Sequence, residues 1–223
     1  MNYKVFDEID DNTLISGWFI PENVCDNLIE YINLNKDLQK PGLTGDSVNR
    51  DRKDSLDVSI STDDFKKPVI NDYNNHLNCL LKLYMEKFPE TKKIQDFGLV
   101  SGYNLQYYKP GGGFKVWHSE NYHKMTNEYR VLVFMTYLNN VSDAGTEFKH
   151  QKILTPAKKG LTLIWPAYFT HEHKGQISQV SEKYIATGWF NVNEKYLINT
   201  AEITPGINEK IVNGVKVTTV NMD

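Results

Sequence analysis

The chain has 223 residues and a nearly balanced charge, formally −3 at pH 7 with a pI near 6.1. This length predicts a single domain over residues 1–223, and the balanced charge gives no reason to expect nucleic acid or a membrane surface as a partner. With Cys25 and Cys79 as its cysteines, the sequence excludes a disulfide framework and indicates a reducing compartment, so we expect a cytoplasmic protein. No signal peptide or membrane-spanning run is predicted.

Two helices are predicted in the first part of the chain. One begins at Pro21 and extends to about Lys36, and the other begins at Pro68, where apolar residues recur at intervals of three and four. The stretch between them, residues 37–55, has no apolar period. We interpret it as a long surface loop, which in a compact domain is often a lid or a substrate-binding element.

From Asp96 onward the pattern becomes typical of strands. The predicted strands are 97–109, 114–120, 129–138, 146–153, 161–166, 169–174 and 183–192. Two of them, 129–138 and 161–166, are apolar on both faces, so we expect a partner sheet to cover one face and the helices the other. This order predicts an α+β protein, mainly β, with a sandwich or barrel.

The expected division of the chain follows from these patterns. Residues 1–95 supply the supporting helices and the loop, residues 96–192 the strand-rich core, and residues 193–223 a C-terminal extension. Within that extension, Asn213-Gly214 lies between β-prone residues and predicts a hairpin.

His118 and Glu120 stand two residues apart in a segment with strand character. Side chains at this spacing share a strand face, so an imidazole and a carboxylate can point at the same place. A surface pair without function has the same sequence pattern. A further histidine, His173 or His171, follows a buried-looking strand; two histidines and one carboxylate form the facial triad of non-haem iron(II) oxygenases.

Five motifs together resemble those of a known enzyme family. They lie between about Gly102 and Val192 and read YYKPGGGFKVWHSE, RVLVFMTYLNNV, AGTEF, KKGLTLIWPA and HKG…EKYIATGWF. In this order they resemble the iron(II)- and 2-oxoglutarate-dependent dioxygenases, in particular the prolyl 4-hydroxylase-like branch common in phage and marine bacteria. The resemblance implies a double-stranded β-helix, or jelly roll, with the N-terminal helices packed on one sheet.

The resemblance also implies roles for individual residues. The implied iron(II) ligands are His118, Glu120 and His173. The implied contacts of 2-oxoglutarate are Lys183, Tyr108, Tyr137 and Thr187. Lys183 would bind the distal carboxylate of 2-oxoglutarate, and the uncharged run that follows it makes an anionic partner necessary if the ammonium is buried.

Two features leave the site open to other interpretations. His171 lies two residues before His173, so either could reach the ion; the ten-residue spacing to Lys183 favours His173, with His171 as the alternative. Most of the superfamily has Asp where this chain has Glu120, so the carboxylate reaches one methylene further. A halogenase is disfavoured because those relatives lack the carboxylate.

The resemblance implies a hydroxylase that uses Fe(II), 2-oxoglutarate and O2, with L-ascorbate as an added reductant. It would act on prolyl residues of a peptide or protein and release succinate and CO2. The alternative is a non-catalytic jelly-roll module that binds a ligand or has a structural role, with a vestigial metal site. A cupin-like zinc or iron enzyme that uses no 2-oxoglutarate is a further alternative.

Overall fold

The structure is a computed structural model that describes residues 2–45, 47–94, 96–121 and 130–193, together with the strands at 207–212 and 215–220. The chain forms two compact units, Met1–Val192 and Asn193–Asp223. Among the described residues, no helix combines the length and the apolar character that crossing a membrane would require.

The elements of the described residues are as follows. The helices are α1 (Glu22–Leu34) and α2 (Pro68–Lys87). The strands are β1 (Lys4–Phe6), β2 (Ser16–Phe19), β3 (Lys40–Pro41), β4 (Leu43–Thr44), β5 (Ser47–Val48), β6 (Lys53–Asp54), β7 (Leu56–Ile60), β8 (Phe97–Gly98), β9 (Tyr103–Tyr108), β10 (Gly113–Phe114), β11 (Arg130–Tyr137), β12 (Val141–Phe148), β13 (Ile153–Ala157), β14 (Leu161–Pro166), β15 (His173–Gly175), β16 (Lys183–Val192), β17 (Ile207–Val212) and β18 (Val215–Val220).

The two helices form where the sequence predicts them. Pro21 precedes α1 and Pro68 opens α2, where its missing N–H costs no helical hydrogen bond. Each helix buries one face against the same apolar cluster; the residues that bury this face are Val24, Cys25, Leu28 and Ile32 in α1 and Ile70, Tyr73, Leu77, Leu80, Leu81 and Tyr84 in α2.

The first compact unit is built on a nine-stranded sheet, in which β1, β2, β14, β11, β16, β9, β7 and β3 are neighbours in that order and β8 pairs with β16. Alternate residues of β16 lie in different apolar clusters. Ala186 and Phe190 lie in the cluster that contains the helices, whereas Ile185 lies in the cluster that faces the second sheet. Both faces of this sheet are therefore covered, as its apolar strands predict.

The second, smaller sheet has the order β13-β12-β15. It packs against the face of the large sheet that the helices leave open, and Phe148 and Trp165 meet edge to face between the two sheets. A separate pair, β10 with β6, lies in the same unit. Two helices on one face of a mainly antiparallel β-sandwich confirm the predicted α+β, mainly β, jelly-roll fold.

Some predicted strand boundaries are wrong. The predicted strand 146–153 is the end of β12 and the start of a different strand, β13, because residues 149–152 form a tight turn in which Lys152 has a positive φ of 56°. Residues 169–171 form a 3-10 helix instead of a strand. Within 114–120, regular strand ends at Phe114, and only His118 pairs further along.

The predicted loop at 37–55 contains more structure than expected. It holds β3, the short antiparallel pair of β4 and β5, and β6, and each of these strands is two residues long. Its last residues are attached to the rest of the unit, because β6 pairs with β10 and the amide of Lys115 donates to the carbonyl of Arg52 at 2.7 Å. This attachment places the segment beside His118.

The second unit contains an antiparallel pair, β17 with β18, in which Val212 lies opposite Val215. The predicted turn at Asn213-Gly214 lies outside the described residues. The division of the chain at residues 95 and 192 into support, core and extension stays a prediction.

Gly145 of β12 offers a test of the small sheet. A Cβ at this position would collide with the carbonyl oxygen of Thr155 on β13. We expect Gly145→Ala to lower the free energy of unfolding by about 1–3 kcal/mol, the usual cost of overpacking, as measured by urea denaturation.

Gly98→Ala is the matched control, because a Cβ at Gly98 meets nothing within 4 Å. It should change the free energy of unfolding by less than about 0.5 kcal/mol. Equal losses for the two variants would contradict the predicted collision.

Candidate active site

His118 and His173 face each other across an antiparallel bridge. The amide of His118 donates to the carbonyl of His173 at 3.0 Å, and the amide of His173 donates to the carbonyl of His118 at 2.8 Å. Their imidazole centroids are 4.3 Å apart. Because β15 begins at His173 and is held by β12, the bridge fixes the segment after β10 against the small sheet.

Glu120 completes the cluster. Its Oε1 lies 3.5 Å from Nε2 of His118 and 3.5 Å from Nε2 of His173, and its amide donates to the carbonyl of Ala167 at 3.1 Å. The three side chains form a group whose ligand atoms all lie within 4.8 Å of one another. Donor atoms bound to one ion at about 2.0–2.2 Å are separated by about 3 Å, so the spacing suits a single small cation.

Both imidazoles are oriented with Nε2 toward this cluster. Nδ1 of His118 lies 3.0 Å from the carbonyl oxygen of Val116, and Nδ1 of His173 lies 2.9 Å from that of His171. A carbonyl oxygen only accepts, so each Nδ1 carries a hydrogen, and the neutral form of each ring has its lone pair on Nε2. This arrangement is usual for metal-binding histidines, and the donor set fits divalent iron.

The charge state of the cluster also suits a cation. Burial and the neighbouring His173 lower the pKa of His118 to about 4, so its imidazole is neutral near pH 7. Burial alone would raise the pKa of Glu120, but the neighbouring His173, His118 and Arg130 side chains lower it to about 2. The site therefore presents a neutral imidazole and a carboxylate, the forms that bind metal ions.

Aromatic side chains surround the two imidazoles. Phe114 is stacked on His118, with ring centroids 3.6 Å apart and planes at 11°, and Trp165 meets His173 edge to face at 5.0 Å. The sequence predicts Trp165 as a core residue on a strand but gives no signal for the stacking of Phe114. Both rings limit the access of water to the cluster.

His171 lies apart from the cluster. It ends a 3-10 helix, and its Nε2 and Nδ1 are engaged by the carbonyl oxygen of Thr13 at 2.9 Å and the hydroxyl of Thr170 at 2.9 Å. The predicted strand 169–174 would place His171 and His173 on one face, and this is wrong because His171 lies in the 3-10 helix that precedes β15. Of the two histidines, the structure brings His173 to His118 and Glu120.

Lys183 is buried beside Tyr108, which lies opposite it on β9. Its Nζ lies 4.8 Å from the centre of the Tyr108 ring, 3.3 Å from the carbonyl oxygen of Gln176 and 3.4 Å from that of Ala144. Within the described residues, no carboxylate lies at ion-pair distance from Nζ. Burial lowers the pKa of Lys183 to about 8.

The remaining predicted co-substrate residues are already hydrogen-bonded. The hydroxyl of Tyr137 lies 2.7 Å from that of Thr146 and 3.1 Å from that of Thr155, and burial raises its pKa to about 12. The hydroxyl of Thr187 donates to the carbonyl of Phe134 at 3.1 Å. The Tyr137 hydroxyl thus lies in the interior between the hydroxyls of Thr146 and Thr155. The hydroxyl hydrogen of Thr187 is donated to a backbone carbonyl of the neighbouring strand.

The segment that contains these site residues matches a known protein family. Residues 103–191 match the family described as the 2OG-Fe(II) oxygenase superfamily, where 2OG is 2-oxoglutarate. This match identifies residues 103–191 as a 2OG-Fe(II) oxygenase segment. The match covers His118, Glu120, His173 and Lys183, and the oxygenase is therefore a 2-oxoglutarate-dependent dioxygenase, as its motifs predicted.

Solved structures share the fold of the oxygenase at low sequence identity. A prolyl-4-hydroxylase from Pseudomonas putida has a TM-score of 0.60 and 15% identity, covering 80% of this chain and 92% of that one. The viral collagen prolyl hydroxylase of Paramecium Bursaria Chlorella virus-1, in a 2OG complex, has a TM-score of 0.62 and 18% identity, covering 82% of this chain and 98% of that one. A prolyl hydroxylase from Trichoplax adhaerens, in complex with a hypoxia inducible factor peptide fragment, has a TM-score of 0.65 and 10% identity, covering 84% of this chain and 88% of that one. No curated protein sequence matches the chain.

A buried ion pair connects the end of the 37–55 segment to the interior of the oxygenase. Lys53 Nζ lies 2.6 Å from Asp57 Oδ2, and both side chains are less than one-tenth exposed. Asp57 also accepts from the hydroxyl of Ser55 at 2.7 Å and from Nε2 of Gln106 at 3.3 Å, and Oε1 of Gln106 accepts from the Tyr108 hydroxyl at 2.6 Å. This network, which sequence analysis missed, reaches the ring beside Lys183.

Removing one partner of this pair should be costly. We expect Asp57→Ala to lower the free energy of unfolding by about 3–5 kcal/mol, because Lys53 would remain buried without its counter-charge. Urea denaturation of the full chain measures the loss.

The exposed pair of Lys158 and Glu8, at 3.2 Å, gives the matched control. Glu8→Ala should cost less than about 1 kcal/mol, since solvent screens exposed pairs. A similarly small loss for Asp57→Ala would show that the buried network does not stabilise the fold.

Proposed function

We propose that this protein is an Fe(II)- and 2-oxoglutarate-dependent hydroxylase that acts on prolyl residues of a peptide or protein and releases succinate and CO2. The observation that carries the proposal is the cluster of His118, Glu120 and His173, in the same unit as a buried lysine that has no carboxylate partner among the described residues. A structural module has no need for either feature.

In this proposal His118, Glu120 and His173 hold iron(II). Their three ligand atoms converge on one side, which leaves positions for the co-substrate and for O2. The bound metal and 2-oxoglutarate supply the oxidising power for hydroxylation of an unactivated C–H bond. The protein supplies orientation, through the carbonyl groups that hold each Nδ1, and limits water access through Phe114 and Trp165.

Lys183 is the proposed partner of the distal carboxylate of 2-oxoglutarate. Its ammonium is surrounded by an aromatic ring and two carbonyl oxygens at 3.3 and 3.4 Å, which leaves a buried charge without a counter-ion. A carboxylate would remove this cost. Tyr108 and Tyr137 are proposed to hydrogen-bond the co-substrate. Thr187, two residues after Ile185 on the same strand, is proposed as a further contact.

A peptide or protein substrate is supported by the 37–55 segment. This segment lies beside His118 through the pairing of β6 with β10, and its β4–β5 ribbon exposes Leu43 and Val48, which lie opposite each other. An exposed apolar ribbon in the same segment as β6 suits an extended chain better than a small polar metabolite. The Trichoplax neighbour is described with a bound peptide fragment.

L-Ascorbate is the proposed reductant that keeps the iron as Fe(II), and the cytoplasm is the proposed location. Cys25 and Cys79 are free thiols, as a reducing compartment requires. The alternative of a non-catalytic module with a vestigial site is disfavoured by the complete set of three donors and the lysine.

The first test is turnover of 2-oxoglutarate. With iron(II), ascorbate and a library of proline-containing peptides, we expect the wild type to release succinate and His118→Ala to lose more than about 100-fold in rate, since a ligand is removed. His150→Ala, which changes an exposed histidine outside the cluster, should keep wild-type activity.

Mass spectrometry of the same reactions identifies the product. A gain of one oxygen on proline supports the prolyl substrate. Succinate release with hydroxylation only at other residues would overturn the prolyl assignment and keep the hydroxylase. Absence of succinate in every reaction would overturn the hydroxylase itself.

The pH dependence of co-substrate binding tests Lys183. Only the protonated amine pairs with a carboxylate, and burial lowers its pKa to about 8 in the free protein. The dissociation constant of 2-oxoglutarate, measured with Mn(II) in place of iron, should therefore rise about tenfold per pH unit above 8.

Lys183→Arg is the matched control, because a guanidinium stays protonated throughout this range. Its dissociation constant should change little between pH 7 and pH 9, whatever its absolute value. An identical pH dependence in the two proteins would exclude Lys183 as the titrating group.

A further inference from the structure

The two carboxylate oxygens of Glu120 have different partners. Oε1 faces Nε2 of both histidines at 3.5 Å. Oε2 accepts a hydrogen bond from the indole Nε1 of Trp189 at 2.9 Å and lies 3.6 Å from a guanidinium nitrogen of Arg130. One oxygen is thus directed to the cluster, and the other is held by the large sheet.

Trp189 and Arg130 also hold each other. The guanidinium carbon of Arg130 lies 3.6 Å from the centre of the Trp189 ring, a cation–π contact, and the same guanidinium donates to the backbone carbonyl of Glu120 at 3.1 Å. Trp189 lies on β16 and Arg130 opens β11, where the pairing register shifts between Arg130 and Leu132. The irregularity turns the Arg130 side chain relative to a regular strand.

This contact has a specific consequence for a glutamate. Glu120 has one more rotatable bond than the aspartate that resembling enzymes mostly use, so its carboxylate has more freedom to turn. A freely turning carboxylate could give both oxygens to the ion and occupy a position that the co-substrate needs. A hydrogen bond that engages Oε2 leaves Oε1 as the single donor.

We propose that Trp189 and Arg130 are positioning residues that hold Glu120 as a one-oxygen metal ligand, and that this clamp compensates for the length of the glutamate. The inference rests on the metal site of the proposed function. Neither Trp189 nor Arg130 is itself a metal ligand.

The test is a double-mutant cycle on metal affinity in the full chain. The dissociation constant of Co(II) is measured calorimetrically for the wild type, Trp189→Phe, Glu120→Asp and the combined variant. In the glutamate background, we expect Trp189→Phe to weaken binding by about 10–100-fold, the usual effect of removing a partner of a ligand. In the aspartate background, the effect should be less than about threefold, because the shorter carboxylate does not reach the indole.

The visible spectrum of bound Co(II) reports the coordination separately from affinity. We expect weaker d–d absorption in Trp189→Phe than in the wild type, because a second carboxylate oxygen raises the coordination number. Trp117→Phe, which changes a tryptophan that contacts Lys174 at 4.5 Å, is the matched control and should alter neither affinity nor spectrum.

Each outcome has one meaning. If the wild-type protein binds no Co(II), the metal site and the proposed function are both ruled out. Wild-type binding that Trp189→Phe weakens equally in both backgrounds, or does not weaken, would overturn the clamp alone. If circular dichroism shows that Trp189→Phe is unfolded, Arg130→Gln in the same two backgrounds decides the question by the same contrast.

Discussion

Two backbone hydrogen bonds between His118 and His173 are the interaction on which the site depends. They join a segment that leaves β10 to the first residue of β15, and so bring together two imidazoles that are far apart in the chain. The backbone sets this distance, so the side chains need only modest rotation to point at one ion. The carbonyl groups that hold Nδ1 of each ring then fix the remaining freedom.

Strand β16 connects this cluster to the rest of the protein. Its residues alternate between the helical cluster, which includes Phe190, and the inter-sheet space, where Lys183 and Trp189 lie. One face of this strand therefore packs into the apolar cluster. The opposite face carries the Lys183 ammonium near the start of the strand and the Trp189 indole near its end. Rigid support of this kind is what a site needs to keep its geometry while metal and co-substrate exchange.

The 37–55 segment shows how the surface is tied to that interior. Its last strand, β6, carries Lys53, whose ion pair with Asp57 is continued by Gln106 to Tyr108. A segment with no apolar period is thus held by buried polar contacts, which sequence periodicity does not reveal. The prediction of a long surface loop missed these buried contacts for a physical reason: charged residues usually indicate exposure, and here two of them pair in the interior.

The sequence by itself determined the helices at Pro21 and Pro68, the mainly β core and the strand phase that sets Lys183 and Trp189 on one face, because these follow from local periods of 3.6 and 2. It also supplied the motifs in which His118, Glu120 and His173 stand. Only the tertiary structure decided that His173, and not His171, joins the other two, and that Trp189 and Arg130 hold Glu120. Those outcomes depend on register between strands and on where a 3-10 helix ends, and neither is encoded in the spacing of residues along one segment.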